Sequence, residues 1–174
     1  MKISKAFKTA FFLFVAVMMT SAAWSQDKEK PASPPMTAEG TINGANITIN
    51  YSSPGVKGRT IWGALVPYNK VWRAGANDAT TLETDKDLMI EGKKLPAGKY
   101  SFFLIPREEG PTTVIFNTVA KQWGAYDYDE SKDALRVDVE AELKDDITER
   151  LEYRIEDDAI VVEWEKAVLP ISVE

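Results

Sequence analysis

The chain has neither cysteine nor histidine among its 174 residues. The first absence excludes disulfides, iron–sulfur clusters, thiol catalysis and zinc–thiolate sites. The second removes the commonest general base, the commonest protein metal ligand and every Ser-His-Asp triad. Any chemistry would rest on Asp, Glu, Lys, Tyr, Ser or Thr. Sustained helical periodicity is missing too; only Asp145 to Arg150 hints at a helical turn. The ten glycines never form a phosphate-binding loop. Together these absences argue against an α/β enzyme and against a nucleotide-binding βαβ unit.

Positive charge is also scarce. The formal net charge is −6, and three of the lysines, Lys2, Lys5 and Lys8, stand at the N-terminus. They precede a run of apolar or small residues from Thr9 to Ala23. Ala23-Trp24-Ser25 then offers small residues flanking a tryptophan, so cleavage before Gln26 is expected. Residues 1–25 therefore read as a signal peptide, and the protein as periplasmic or secreted. The apolar run is short for a membrane span of about 20 residues, so no stable membrane insertion is expected after cleavage. Loss of the leader takes the net charge from −6 to −9. Such a chain repels phosphate backbones, and nucleic acid is not an expected partner. Much of the excess lies between Glu140 and Glu174, where twelve acids face four bases; solvation of the last strands accounts for it.

What is present is strand pattern. Hydrophobic residues make up 44% of the chain, enough for one core. Residues 26–39, rich in Lys, Glu, Pro and Ser, read as a disordered tether, and residues 40–174 as the folded domain. Asn43-Gly44 marks a hairpin turn. Ile47, Ile49 and Tyr51 alternate with Thr48, Asn50 and Ser52. Further strands are expected at Arg59–Trp62, Ala79–Thr84, Leu88–Ile90, Tyr100–Ile105 and Thr112–Asn117, then around Leu135–Ala141, Leu151–Ile155, Ile160–Glu165 and Leu169–Val173. Tyr100–Ile105 is apolar on both alternating sets, as a central strand should be. About ten short strands with turns every 8–12 residues predict an all-β, single-domain antiparallel β-sandwich.

The densest stretch is Leu65 to Thr81, LVPYNKVWRAGANDATT. Val66-Pro67-Tyr68-Asn69 is a turn signature. Arg73 stands between a large ring, Trp72, and two small residues that leave room beside it. A guanidinium there can stack on an aromatic face and still present its fork. Asn77 brings a donor and an acceptor. With Tyr68, Trp72, Asp78, Trp123 and Tyr126, these residues are the candidate ligand-binding set, Arg73 and Asn77 being expected beside Trp72 and the Trp123–Tyr126 segment in one concavity. The structural alternative has Trp72 plugging the core, Arg73 paired with a carboxylate and Asn77 capping a turn.

The runs GRTIWGALVPYNKVWRAGANDATT, LPAGKYSFFLIP, VIFN and QWGAYDYDESKDALRV resemble the bacterial family known as DUF2911, across roughly Ile47 to Val139. The WRAGAN block is the most specific part. The family often has Gly where Asn69 stands, a mild departure because both reach the left-handed region. The resemblance implies an exported β-sandwich-like domain of unknown function and transfers no catalytic residue.

Two other constellations stand in the sequence. Asp127, Asp129, Ser131, Asp133 and Asp138 match an oxygen-ligand calcium spacing, but Lys132 replaces the required glycine and no helices flank it; an acidic turn is the alternative, and no metal is expected. Asp78 and Asp127 are acids in aromatic, glycine-containing surroundings, where a pair could serve glycoside hydrolysis. The leading reading is a non-catalytic binding or interaction module without cofactor. Its partner is a small molecule, a glycan or an envelope protein, with carbohydrate or a small carboxylate as ligand class. A small carboxylate-dependent hydrolase and a structural envelope protein without a small ligand are the alternatives.

Overall fold

The computed structural model describes residues 31–174. The expected signal peptide, and the tether as far as Lys30, lie outside the described residues. Order begins ahead of Gly40: residues 35–39, read above as tether, form the first part of strand β1 (Pro35–Ile42), which pairs with β2 (Ala45–Ser52). Their polar composition is compatible with a strand because β1 is an edge, its ladder supplied by β2, and Pro35 stands at its first position. Between them Asn43 and Gly44 have φ of 50° and 76°, the two positive values a type I′ hairpin requires.

Eight more strands follow: β3 (Thr80–Thr84), β4 (Leu88–Ile90), β5 (Lys93–Leu95), β6 (Gly98–Ile105), β7 (Thr112–Asn117), β8 (Asp133–Val139), β9 (Glu142–Ile155) and β10 (Ala159–Ser172). Six form one antiparallel sheet in the order β1-β2-β3-β6-β7-β8; β9 with β10 makes a long ribbon, and β4 with β5 a short hairpin. Period-two alternation puts Ile47, Ile49, Leu82, Phe102, Leu104 and Phe116 on the inner face of the sheet. There they meet Leu151, Tyr153, Ile160, Val162 and Trp164 of the ribbon in the main core. Phe102 and Tyr153 pack edge to face at 5.9 Å across this interface. The chain is thus an all-β sandwich of sheet and ribbon.

Strand β6 is buried on both faces. Its outward Phe103 and Ile105, with Ile115 and Ala79, form a second small core covered by Val71, Ala125 and Tyr128. The loop between β7 and β8 therefore lies over the outer face of the sheet.

Three expected elements differ. Residues 59–62 are not a strand: the chain turns back so that the Val66 N–H donates to the Ile61 carbonyl at 2.9 Å, and only Trp62 bridges, to Val66. Asp145–Arg150 is extended within β9, because its backbone is taken up by β10 and by the segment near Pro54; the Val56 N–H donates to Glu149 at 2.7 Å. A non-local ladder overrides a weak helical preference. The two strands expected after Asp158 are one bulged strand, β10, with register shifts on either side of Glu165. Pro170 lies beyond the last β9 pair, Val168 with Glu142, so its missing N–H breaks no ladder.

Candidate functional site

The pleat divides the Leu65–Thr81 stretch between the two faces of the sheet. Trp72 bridges Leu104 through two backbone bonds of 2.7 and 2.9 Å. Residues directly opposed share a face, so Trp72 joins Leu104 inside, where its ring stacks on Trp164 at 5.7 Å. Val71 and Arg73 then point outward. The structure accordingly does not bring Trp72 to the Trp123–Tyr126 segment. Nor does it bring Tyr68 there, which lines a cleft between sheet and ribbon beside Trp62.

The RAGAN loop is pinned from within. Ala74 is fully buried with φ of 51°, and its carbonyl accepts from Thr80 Oγ1 at 2.9 Å and Tyr153 Oη at 2.7 Å. Trp72 Nε1 donates to the Gly75 carbonyl at 3.2 Å. Asn77, at φ 61°, donates through Nδ2 to Ser52 Oγ at 3.2 Å. Asp78 bridges Trp123, and the Ala79 N–H donates to the Gln122 carbonyl at 3.0 Å. These bonds hold the loop beside the 122–126 segment.

Arg73 is the unsatisfied member. Its Nε is buried without a hydrogen-bond partner, and among the described residues its guanidinium makes no ion pair. Other arginines are engaged: Arg136 with Glu130 at 2.5 Å, Arg154 with Glu163 at 2.6 Å, Arg107 with Thr113 at 2.9 Å. Neither partner expected for Arg73 is there: no carboxylate pairs with it, and the Trp72 ring is on the other face of the sheet. A Cβ on Gly124 would lie 3.7 Å from Arg73 Nη1 and 3.0 Å from the Tyr126 ring, and φ there is 66°. Glycine is favoured there by the backbone and by the close Tyr126 ring. Trp123 and Tyr126 are 61% and 81% exposed, a large area of ring left in solvent.

Alongside runs a polar groove of about 370 Å³ lined by Asn50, Asp78, Thr81, Lys99, Lys121 and Gln122, among others. Register sets Asn50, Thr81, Ser101 and Asn117 opposite one another across β2, β3, β6 and β7, and the first two line the groove. Gln122, 8% exposed, donates through Nε2 to Ser101 Oγ at 3.0 Å and the Val119 carbonyl at 2.8 Å, while its Oε1 is buried without a partner. The groove thus offers a carboxylate at Asp78 and ammonium donors at Lys99 and Lys121, although Lys99 also pairs with Glu83 at 3.0 Å. Of the candidate set, Asp78 lines this groove; Asn77 is tied to its lining through Ser52 and Trp123 through the bridge to Asp78, while Arg73 and Tyr126 lie at Gly124, outside the lining. Asn50, Thr81, Lys99, Lys121 and Gln122 were not singled out from sequence; the outward half of the β2 alternation was the signal for Asn50.

Three of the four acids of the calcium-like spacing, Asp129, Asp133 and Asp138, are used by the protein itself. Asp129 caps the short 3-10 turn Glu130–Lys132 by accepting from Ser131, which also lowers its carboxyl pKa. Asp133 accepts from Tyr128 Oη at 2.6 Å and Asn117 Nδ2 at 2.8 Å; burial, then this carboxylate, push the Tyr128 phenol up. Asp138 accepts from Thr113 Oγ1 at 2.7 Å. Among the described residues no three acids are grouped to hold an ion.

Residues 33–173 match the family described as Protein of unknown function (DUF2911), and the chain belongs to it. The match extends beyond Ile47–Val139 at both ends, taking in β1 and the β9–β10 ribbon. No curated protein and no solved structure shows a significant match to the chain.

Proposed function

We propose that the protein is an exported, non-catalytic binding module whose outer-face groove takes an acidic carbohydrate. The observation that carries this reading is Arg73, a guanidinium without a carboxylate in a strongly acidic chain, close to Gly124 in the segment that exposes Trp123 and Tyr126. Its fork suits a ligand carboxylate, since bidentate Arg–carboxylate pairs are both strong and directional. The faces of Trp123 and Tyr126 suit the C–H face of a sugar ring. The polar row of the groove, Asn50, Ser52, Thr81 and Lys121 among it, suits hydroxyls.

The hydrolase alternative needs two carboxylates flanking one bond. Among the residues lining the groove Asp78 is the one acid, which favours binding over turnover.

Calorimetric titration of residues 26–174 with an oligouronate, and with the neutral oligosaccharide of the same linkage, tests the reading. The oligouronate should bind at least about tenfold tighter, one charge-assisted bond being worth roughly 1.5–3 kcal/mol. Arg73→Gln should remove that preference. Equal affinity for the two sugars, or an Arg73→Gln variant that keeps the preference, would refute the proposal.

A further inference from the structure

The sandwich also opens on its other side, into a cleft of about 320 Å³ between sheet and ribbon. A change of parity in β10 lies at this cleft. Ile160, Val162 and Trp164 are buried on one alternation, Leu169 and Ile171 on the other. The switch falls at Glu165, which has φ of 56° and sits between two register shifts. Beyond it β9 runs from Thr148 to Leu143 while β10 advances only from Glu165 to Ala167, a bulge of the kind that bends a strand. Ala167 shares a face with Leu169 by alternation. Leu143 is paired directly with Ala167 and so lies on that same, core-facing side. Yet Leu143 is 82% exposed. The sheet stops short of it: the last pair of β7 and β8 is Thr112 with Val139, and Glu140 and Ala141 lead straight into β9. The apolar side of the ribbon thus runs on past the sheet that covers the rest of it.

We infer that this cleft is a second binding site, for an uncharged, apolar small molecule of about two fused rings. Leu104, Leu151, Val162 and Leu169 supply an aliphatic wall, with Leu143 beside them. Trp62 and Trp164 also line the cleft. Their Nε1 atoms are sealed in the protein, without a partner, so what these rings present to the cleft is carbon. Size agrees: an apolar cavity of about 150 Å³ takes benzene, and ligand pockets begin near 300 Å³. Charge decides against an anionic amphiphile. The charged residues of the lining are Arg107, Glu108 and Glu140, all exposed. Arg107 is already bonded to Thr113 and Asn69. Among the described residues neither Glu108 nor Glu140 is in an ion pair. The carboxylate of a fatty acid would meet two like charges there, or be buried among hydrocarbon at still greater cost. A neutral ring system meets neither penalty.

The test titrates residues 26–174 with naphthalene, and with 2-naphthoate as the charged control, and follows the side-chain methyl signals by NMR. Naphthalene should shift the methyls of Leu104, Leu143, Leu151, Val162 and Leu169 together. Val119, which is exposed and outside the lining, should stay in place. Naphthoate should bind more weakly. Leu143→Ser, at a position too exposed to matter for folding, should weaken naphthalene about fourfold, the worth of one buried methylene. Ala167→Phe puts a ring into the cleft and should abolish binding where the variant unfolds as cooperatively as wild type. Methyl signals unmoved at the solubility limit of naphthalene, or shifted only outside this set, would overturn the inference. So would naphthoate binding as tightly as naphthalene, or a Leu143→Ser variant of unchanged affinity. This outcome is independent of the uronate titration, which reads the other face.

Discussion

Ala74 shows how a single buried carbonyl fixes the site. A non-glycine residue at φ 51° is costly, and two donors on separate elements, Thr80 and Tyr153, hold it there. Tyr153→Phe and Thr80→Val should each cost about 1 kcal/mol, because the carbonyl keeps its other partner. The double variant should cost more than the sum, since the acceptor is then left buried and unpaired. Urea unfolding checks this; simple additivity would mean that the two bonds do not share the acceptor. Arg73→Ala should leave the unfolding midpoint nearly unchanged, within the roughly 0.5 kcal/mol typical of residues without a structural partner. A loss of about 3–5 kcal/mol would instead identify a buried ion-pair strut. The sequence made Arg73 conspicuous through its neighbours but not through its missing partner. A missing partner is a property of three-dimensional packing, and neither Gln122 nor Trp164 carries any local sign of an unpaired atom.

At the scale of elements, the β9–β10 ribbon is tied across its outer side by Glu163. That carboxylate receives Lys144, Thr148 and Arg154, the last at 2.6 Å. Hydrogen bonds from Lys144 and Thr148, with Arg154 behind them, hold its pKa down to about 2 from 4.5. A depressed carboxyl pKa stabilises the fold above the unfolded value and is lost as pH falls through the folded one. The ribbon's contribution should therefore be complete above about pH 4.5 and fade toward pH 2. Asp85, Asp87 and Asp129 are lowered as well, by hydrogen bonds from Asn46, Lys94 and Ser131 respectively. Glu163→Gln should flatten, without abolishing, the fall in melting temperature over that range. Parallel melting curves for variant and wild type would show that the network does not govern acid stability. Strand identity was readable here because alternation is local: Leu151, Tyr153 and Ile155 announce β9. Its length was not, since the bulges around Glu165 and the bonds from Val56 to Glu149 join segments far apart in sequence.

For the molecule as a whole, one sheet serves two chemically different surfaces. Its inner face, with the ribbon, builds an apolar core ending in a tryptophan-walled cleft; its outer face carries amides, hydroxyls, lysines and exposed rings. The sandwich followed from period-two patterning and from the absence of helical spacing. Which aromatic fell on which surface did not. Trp72 and Arg73 are neighbours in sequence and sit on opposite sides of the sheet, because the bridge to Leu104 sets the parity of that one turn of chain. The most direct measurement of where a ligand sits is a backbone amide NMR titration of residues 26–174 with the oligouronate. The predicted result is a contiguous set of shifts over Asn50, Arg73, Asp78, Thr81, Lys99 and Gln122–Tyr126, with the ribbon amides of 142–172 unmoved. Shifts confined to the ribbon or the tryptophan cleft, or none at saturating sugar, would mean that the outer face is not the binding surface.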